Sequence, residues 1–96
     1  MNITLNKMLE DLREGIVHVH FEKLNGEMRV GTFTLSSAEI PQQEEQKASS
    51  RLAEKLEKGE EIISLNVYEP GINDWRSFRL ANVKNWNGED VTYAGS

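Results

Sequence analysis

The chain has 96 residues, of which 38% are hydrophobic and 28% charged, and its 16 acidic and 11 basic residues give a net charge of −5. Without cysteine it forms neither a disulfide framework nor a thiolate metal site. No apolar run reaches the length of about 18 residues that a membrane-spanning helix needs, and the first residues lack the pattern of a secretory signal. The length predicts one domain over residues 1–96, and the acidic balance argues against a chain-wide footprint for nucleic acid.

The first predicted element is a helix over residues 4–14. Apolar side chains recur there at helical spacing, at Leu5, Met8, Leu9 and Leu12. The Thr4 hydroxyl suits the N-cap, where it accepts an early backbone N–H. Gly15 is predicted to end the helix in the left-handed conformation.

A β-hairpin is predicted next, with strands over residues 16–24 and 27–35. Along the first strand the apolar residues Val17, Val19 and Phe21 alternate with His18, His20 and Glu22. Asn25-Gly26 between the strands predicts a type I′ turn. Gly31 within the second strand predicts a bulge or a bend.

A polar segment over residues 42–59 separates the two halves of the chain. It contains no aromatic or β-branched residue, and its acidic and basic residues nearly balance. Its thin apolar line and the Glu54–Lys58 pair at helical spacing predict a solvated helix or a mobile insertion that ends at Gly59.

Three strands are predicted in the second half, over residues 61–68, 75–81 and 83–86, with a further short strand over 91–93. Along the first of them Ile63, Leu65 and Val67 are predicted to share one face. Pro70-Gly71 predicts a type II turn before the next strand, in which Phe78 and Leu80 are predicted to face the core. The element order predicts a mainly β (α+β) fold, a small antiparallel barrel with an N-terminal helix and a polar helical insertion.

Several segments of this order resemble a known family. The matching segments are Leu12-Arg13-Glu14-Gly15-Ile16-Val17, Asn25-Gly26, Thr34-Leu35, Ile40-Pro41 and Asp74-Trp75-Arg76-Ser77-Phe78-Arg79. They resemble a WYL-like family of small proteins of tailed phages, most of them without an assigned function. The resemblance covers about residues 7–41 and 62–86, and Trp75 to Arg79 is its most specific part. It implies an SH3-like, Sm-like barrel and a phage origin, and it supplies no catalytic residues.

No constellation of catalytic or metal-binding residues stands out in the sequence. His18 and His20 share one strand face, but two imidazoles with only Glu22 beside them make an incomplete ligand set. There is no nucleophile elbow and no phosphate-binding glycine loop. We therefore expect no enzyme activity, no catalytic residue, no metal and no cofactor.

An aromatic and basic patch is the candidate binding site. Its predicted members are Tyr68, Trp75, Arg76 and Arg79. Tryptophan, tyrosine and arginine are the residue types of interaction hot spots, and they also stack single-stranded bases. The structural alternative is that Trp75 closes the rim of the barrel while Arg79 pairs with Glu69 or Asp74. Trp86 is open to the same two interpretations, as a binding residue or as a residue that closes the barrel, and barrel closure is favoured.

The expected function is a non-enzymatic module that binds a host or phage protein in the bacterial cytoplasm. The acidic balance favours a partner with a basic surface. The alternative is an RNA- or ssDNA-binding Sm-like barrel, which needs local positive charge from Arg29, Arg76, Arg79 and Lys84. No membrane partner is expected, and the sequence leaves the oligomeric state open.

Overall fold

The computed structural model describes residues 1–40 and 52–95, so residues 42–51 of the polar segment predicted over 42–59 lie outside the described residues. In chain order the elements are β1 (Asn2–Ile3), α1 (Leu5–Glu14), β2 (Val17–Glu22), β3 (Met28–Phe33), β4 (Ser64–Glu69), β5 (Asp74–Arg79), a 3₁₀ turn (Leu80–Asn82), β6 (Val83–Trp86), β7 (Glu89–Asp90) and β8 (Thr92–Tyr93). Residues 52–57 are helical. The predicted strands and the N-terminal helix are thus present, with ends that differ from the prediction by at most three residues.

The N-terminal helix α1 forms as its residue pattern predicts. The Thr4 hydroxyl caps it by accepting the Lys7 N–H at 3.2 Å, and its apolar stripe is buried in the core. The prediction for Gly15 is wrong. Its φ is 174°, an extended conformation, and its N–H ends the helix by bonding to the Asp11 carbonyl at 3.3 Å.

The larger sheet has the strand order β3-β2-β6-β7, with neighbouring strands antiparallel. The hairpin between β2 and β3 does not use the predicted type I′ turn, because Gly26 has a positive φ of 88° and Asn25 does not. The Lys23 N–H instead bonds to the Glu27 carbonyl at 2.7 Å across a three-residue loop. The Asn25 side chain accepts the Glu27 N–H at 3.1 Å, which fixes this wider turn.

Gly31 does not form the predicted bulge. It pairs in register with Val19, and the register shift of this sheet lies between His20 and Phe21, against β6. A side chain at this position would clash with the ring of Phe33. A Cβ there would lie 2.8 Å from Cε2 of Phe33 and closer still to its Cζ. Gly31 therefore makes room for the Phe33 ring in the core.

The smaller ribbon pairs β4 with β5 in antiparallel register. Ile62 is buried and Ile63 is 63% exposed, so the prediction that Ile63 shares one face with the buried residues Leu65 and Val67 is wrong. The turn between the strands is not type II. Gly71 does not have a positive φ, and Asn73 takes the left-handed conformation instead, with a φ of 51°. Leu80 is buried as predicted, but it lies in the 3₁₀ turn rather than in the strand.

One backbone bridge links the two larger groups of strands, and one terminal pairing forms a third, two-stranded sheet. Thr34, just past β3, exchanges hydrogen bonds of 2.9 and 3.0 Å with Tyr68 of β4. At the other end, β1 and β8 pair in parallel, a contact that the sequence analysis did not predict. A single apolar core collects side chains from α1 and from both sheets, and Leu52 packs against it. The mainly β fold with an N-terminal helix is confirmed.

Candidate functional site

Trp75 and Tyr68 form the centre of the predicted patch, and they lie opposite each other in the β4–β5 ribbon. Their ring centroids are 5.5 Å apart, and the rings meet edge to face at 72°. Trp75 is half-buried, whereas Tyr68 is only 4% exposed. At this residue β4 also meets the end of β3, through the backbone bridge between Tyr68 and Thr34. The prediction that Tyr68 lies in an exposed patch is wrong because its side chain is buried, and its ring packs edge to face against the ring of Trp75.

Arg76 is held by acidic side chains on the opposite face of β5. Its Nη1 lies 3.4 Å from Asp74 Oδ2, and its Nε lies 3.6 Å from Glu69 Oε1. The same Glu69 oxygen accepts a hydrogen bond of 2.9 Å from Arg29 Nη2. The acid pairing that the structural alternative assigned to Arg79 is thus made by Arg76 and Arg29. Arg76 follows Trp75 directly in the chain, but its side chain lies on the opposite face of β5.

Arg79 is the exposed cation of the candidate site. Its side chain makes no ion pair with any residue in the described ranges 1–40 and 52–95. Side chains alternate along a strand, so Trp75, Ser77 and Arg79 share one face of β5. We call these three residues the β5 face.

The β5 face borders a sheet edge that is open within the described residues. The Leu80 N–H bonds to the Ile63 carbonyl at 3.0 Å, which fixes the alternation of hydrogen bonds in the ribbon. With that alternation, the backbone N–H and C=O of Ser77 point away from β4. In the part of the chain that the structure describes, β5 pairs with β4 and with no second strand. This edge can accept an extended segment of a partner.

Trp86 has the structural role that the sequence analysis favoured. It is 3% exposed, and its Nε1 donates a hydrogen bond of 2.9 Å to Asp11 Oδ2 on α1. Lys7 Nζ donates to the other carboxylate oxygen, also at 2.9 Å. Partial burial by itself raises the pKa of Asp11, but the hydrogen bonds from Lys7 and Trp86 and the Lys7 charge outweigh it and hold that pKa below its ordinary value.

The two histidines lie on the outer face of the larger sheet. His18 is exposed opposite Thr32, and His20 is half-buried opposite Val30. Within residues 1–40 and 52–95, no group of three or more His, Asp or Glu side chains is arranged to hold a metal ion. The helices of that same part of the chain are too short or too polar to cross a membrane.

The strands β2 to β6 contribute side chains to one core and are preceded by a helix, an arrangement that fits a small β protein of the SH3-like class. The family model described as WYL_2, Sm-like SH3 beta-barrel fold, matches residues 5–84, and the chain belongs to this family. The match spans both the N-terminal helix and the β5 face. No curated protein and no solved structure matches the chain.

Proposed function

We propose that this is a non-enzymatic phage protein that binds a host or phage protein in the cytoplasm of the bacterial host. The proposal depends chiefly on Arg79, which is exposed on the same face of an open-edged strand as Trp75. The resemblance to small tailed-phage proteins supports the phage origin. The absence of a catalytic motif from the sequence supports a role in binding rather than in chemistry.

The β5 face combines three ways of holding a protein. Trp75 offers a rigid ring, since Tyr68 packs against it edge to face. Arg79 offers a cation that makes no ion pair with the described residues. Ser77 offers backbone groups for strand addition. Tryptophan and arginine are among the residues that carry the largest shares of binding free energy at protein interfaces.

The charge distribution favours a protein partner over RNA or ssDNA. The nucleic-acid alternative needs Arg29, Arg76, Arg79 and Lys84 as a cationic surface. Two of these four, Arg29 and Arg76, share the carboxylate of Glu69. With a net charge of −5 on the chain, the two remaining cations make a weak phosphate surface.

A capture experiment from bacterial lysate tests the proposal. The tagged protein is compared with Trp75→Ala, with Arg79→Ala and with the control Arg13→Ala, which removes an exposed arginine from α1. We expect one protein to be retained by the wild type and by the control, with a strong loss in the β5-face variants. Thermal unfolding of Arg79→Ala should match the wild type, because its side chain is exposed.

Nuclease treatment and salt separate the two kinds of partner. Retention that survives nuclease and changes little between low and high salt supports a protein partner. Nucleic acid that is captured at low salt and lost steeply at high salt would contradict the proposal and favour the Sm-like alternative. Equal loss of capture in Arg13→Ala and Arg79→Ala would also contradict it, because binding would then follow total charge rather than the β5 face.

A further inference from the structure

A groove of about 400 Å³ lies beside α1, and none of its lining residues belongs to the β5 face. It runs between α1, the start of β2 and the end of β6. Val17 and Trp86, both almost fully buried, close its floor. Ile16 is 46% exposed and forms an apolar wall. We call this cavity the α1 groove, and its apolar surface can hold the stem of a long side chain.

Acidic side chains outnumber ammonium groups around the α1 groove. Asp11, Glu14 and Glu89 line the groove together with Lys7 and Met1. The Lys7 ammonium is already bonded to Asp11, and the Met1 amino group donates to the backbone carbonyl of Asp90 at 3.3 Å.

Glu14 and Glu89 therefore remain without an ion-pair partner in the described part of the chain. Both side chains are exposed at the groove. A ligand that reaches them gains electrostatic attraction without having to displace an existing ion pair.

We infer that the α1 groove binds a basic side chain of a protein segment. Lysine and arginine lay their apolar stems along apolar surface while the charged end stays at the rim. Here the stem contacts Ile16, and the cationic end reaches Glu14 and Glu89. A guanidinium group suits these carboxylates best, because it donates several hydrogen bonds in a fixed plane. The inference takes from the proposed function only that the partner is a protein, and it shares no residue with the β5 face.

The two tryptophans of the chain make the groove accessible to NMR. The indole N–H of Trp86 lies at the groove and that of Trp75 lies on β5, so the two indole signals of the ¹⁵N-labelled protein report the two surfaces separately. The probe is the peptide acetyl-Leu-Arg-Leu-amide, and acetyl-Leu-Gln-Leu-amide is its neutral control. We expect the arginine peptide to shift the Trp86 indole and the Glu14 and Glu89 amides in a saturable way, with the Trp75 indole unchanged.

Charge-removing variants connect the shifts to the carboxylates. Glu14→Gln and Glu89→Gln should each weaken binding of the arginine peptide by about two- to fivefold, the range expected for a single exposed ion pair. Glu10→Gln removes an exposed carboxylate of α1 that does not line the groove, and it should leave the affinity unchanged. Raised salt should weaken the wild type toward the affinity of the variants.

Three results would overturn the inference. One is equal binding of the glutamine peptide, and another is an affinity that stays the same in Glu14→Gln and Glu89→Gln. The third is a shift of the Trp75 indole without one at Trp86. Failure here remains distinct from failure of the proposed function, because lysate capture that is lost in Arg79→Ala would still stand.

Discussion

Replacing Gly31 by alanine should destabilise the barrel at the centre of its core. The new Cβ would lie 2.8 Å from Cε2 and 3.1 Å from Cε1 of Phe33, and closer still to Cζ. Carbon atoms pack best at about 3.5–4.0 Å. The ring cannot easily retreat, since Phe33 is fully buried and its centroid lies 6.1 Å from that of Phe21 and 5.9 Å from that of Phe78.

The size of the effect follows from two opposing terms. Overpacking a well-filled core costs about 1–3 kcal/mol, and so close a contact with a confined ring belongs near the upper end. Alanine is favoured over glycine within a strand by about 0.5–1 kcal/mol. The free energy of unfolding should therefore fall by about 2 kcal/mol, or about 1–2 M in the urea midpoint for a protein of this size.

Urea unfolding followed by tryptophan fluorescence measures this change. Gly15→Ala is the matched control, because a Cβ at Gly15 meets nothing within 4 Å and its φ is 174°. It should leave the midpoint unchanged or raise it slightly. The double variant Gly31→Ala/Phe33→Leu should be destabilised by less than the sum of the two single variants, because Phe33→Leu removes the ring that the new methyl group strikes. Our explanation of Gly31 is refuted if Gly31→Ala is as stable as the wild type, or if the effects of the two substitutions are simply additive.

Three further predictions concern polar contacts made by buried and partly buried side chains. Thr34→Val should lower the free energy of unfolding by about 1–3 kcal/mol, because the single O–H donor of Thr34 lies 2.7 Å from the Gly15 carbonyl oxygen and 3.1 Å from that of Leu12, and both would lose it; a neutral result would contradict that role. Glu69→Gln should cost a similar amount, about 1–3 kcal/mol in urea unfolding, since Arg29 would lose its charged partner. Because the folded pKa of Asp11 lies below its unfolded value of about 4, its stabilisation is present above that pH and lost as the pH falls through the folded pKa. Asp11→Asn should thus destabilise the protein at neutral pH and reduce its acid sensitivity, and Trp86→Phe should show a weaker form of both effects.

Elements in which hydrophobic residues recur at regular spacing were predictable from the sequence. Details that depend on a single side chain were not. The stripe on α1 and the alternation in β2 needed only local spacing, and both are confirmed. The predictions of the two turn types were wrong, because the conformation of each turn depends on an asparagine. Asn25 accepts a backbone N–H in one turn, and Asn73 takes the left-handed position in the other.

The candidate site was predictable only in part, for reasons of tertiary structure. The alternation of side chains along β5 correctly places Arg76 on the face opposite to that of Trp75 and Arg79. It cannot show that Tyr68 is buried, because burial depends on contacts between segments that lie far apart in the chain. The α1 groove carried no sequence signal, since the hydrogen bond from Trp86 to Asp11 joins residues from opposite ends of the chain.

The parallel pairing of β1 with β8 joins the first and last segments of the described chain. The Thr92 N–H bonds to the Met1 carbonyl at 2.9 Å, and the Ala94 N–H bonds to the Ile3 carbonyl at 2.8 Å. Closing a loop of nearly the whole chain carries a large entropic cost, so this contact forms favourably only once the intervening core has brought its ends together. During synthesis on the ribosome, Ile3 therefore remains without its partner strand β8 until residues 92–94 have emerged.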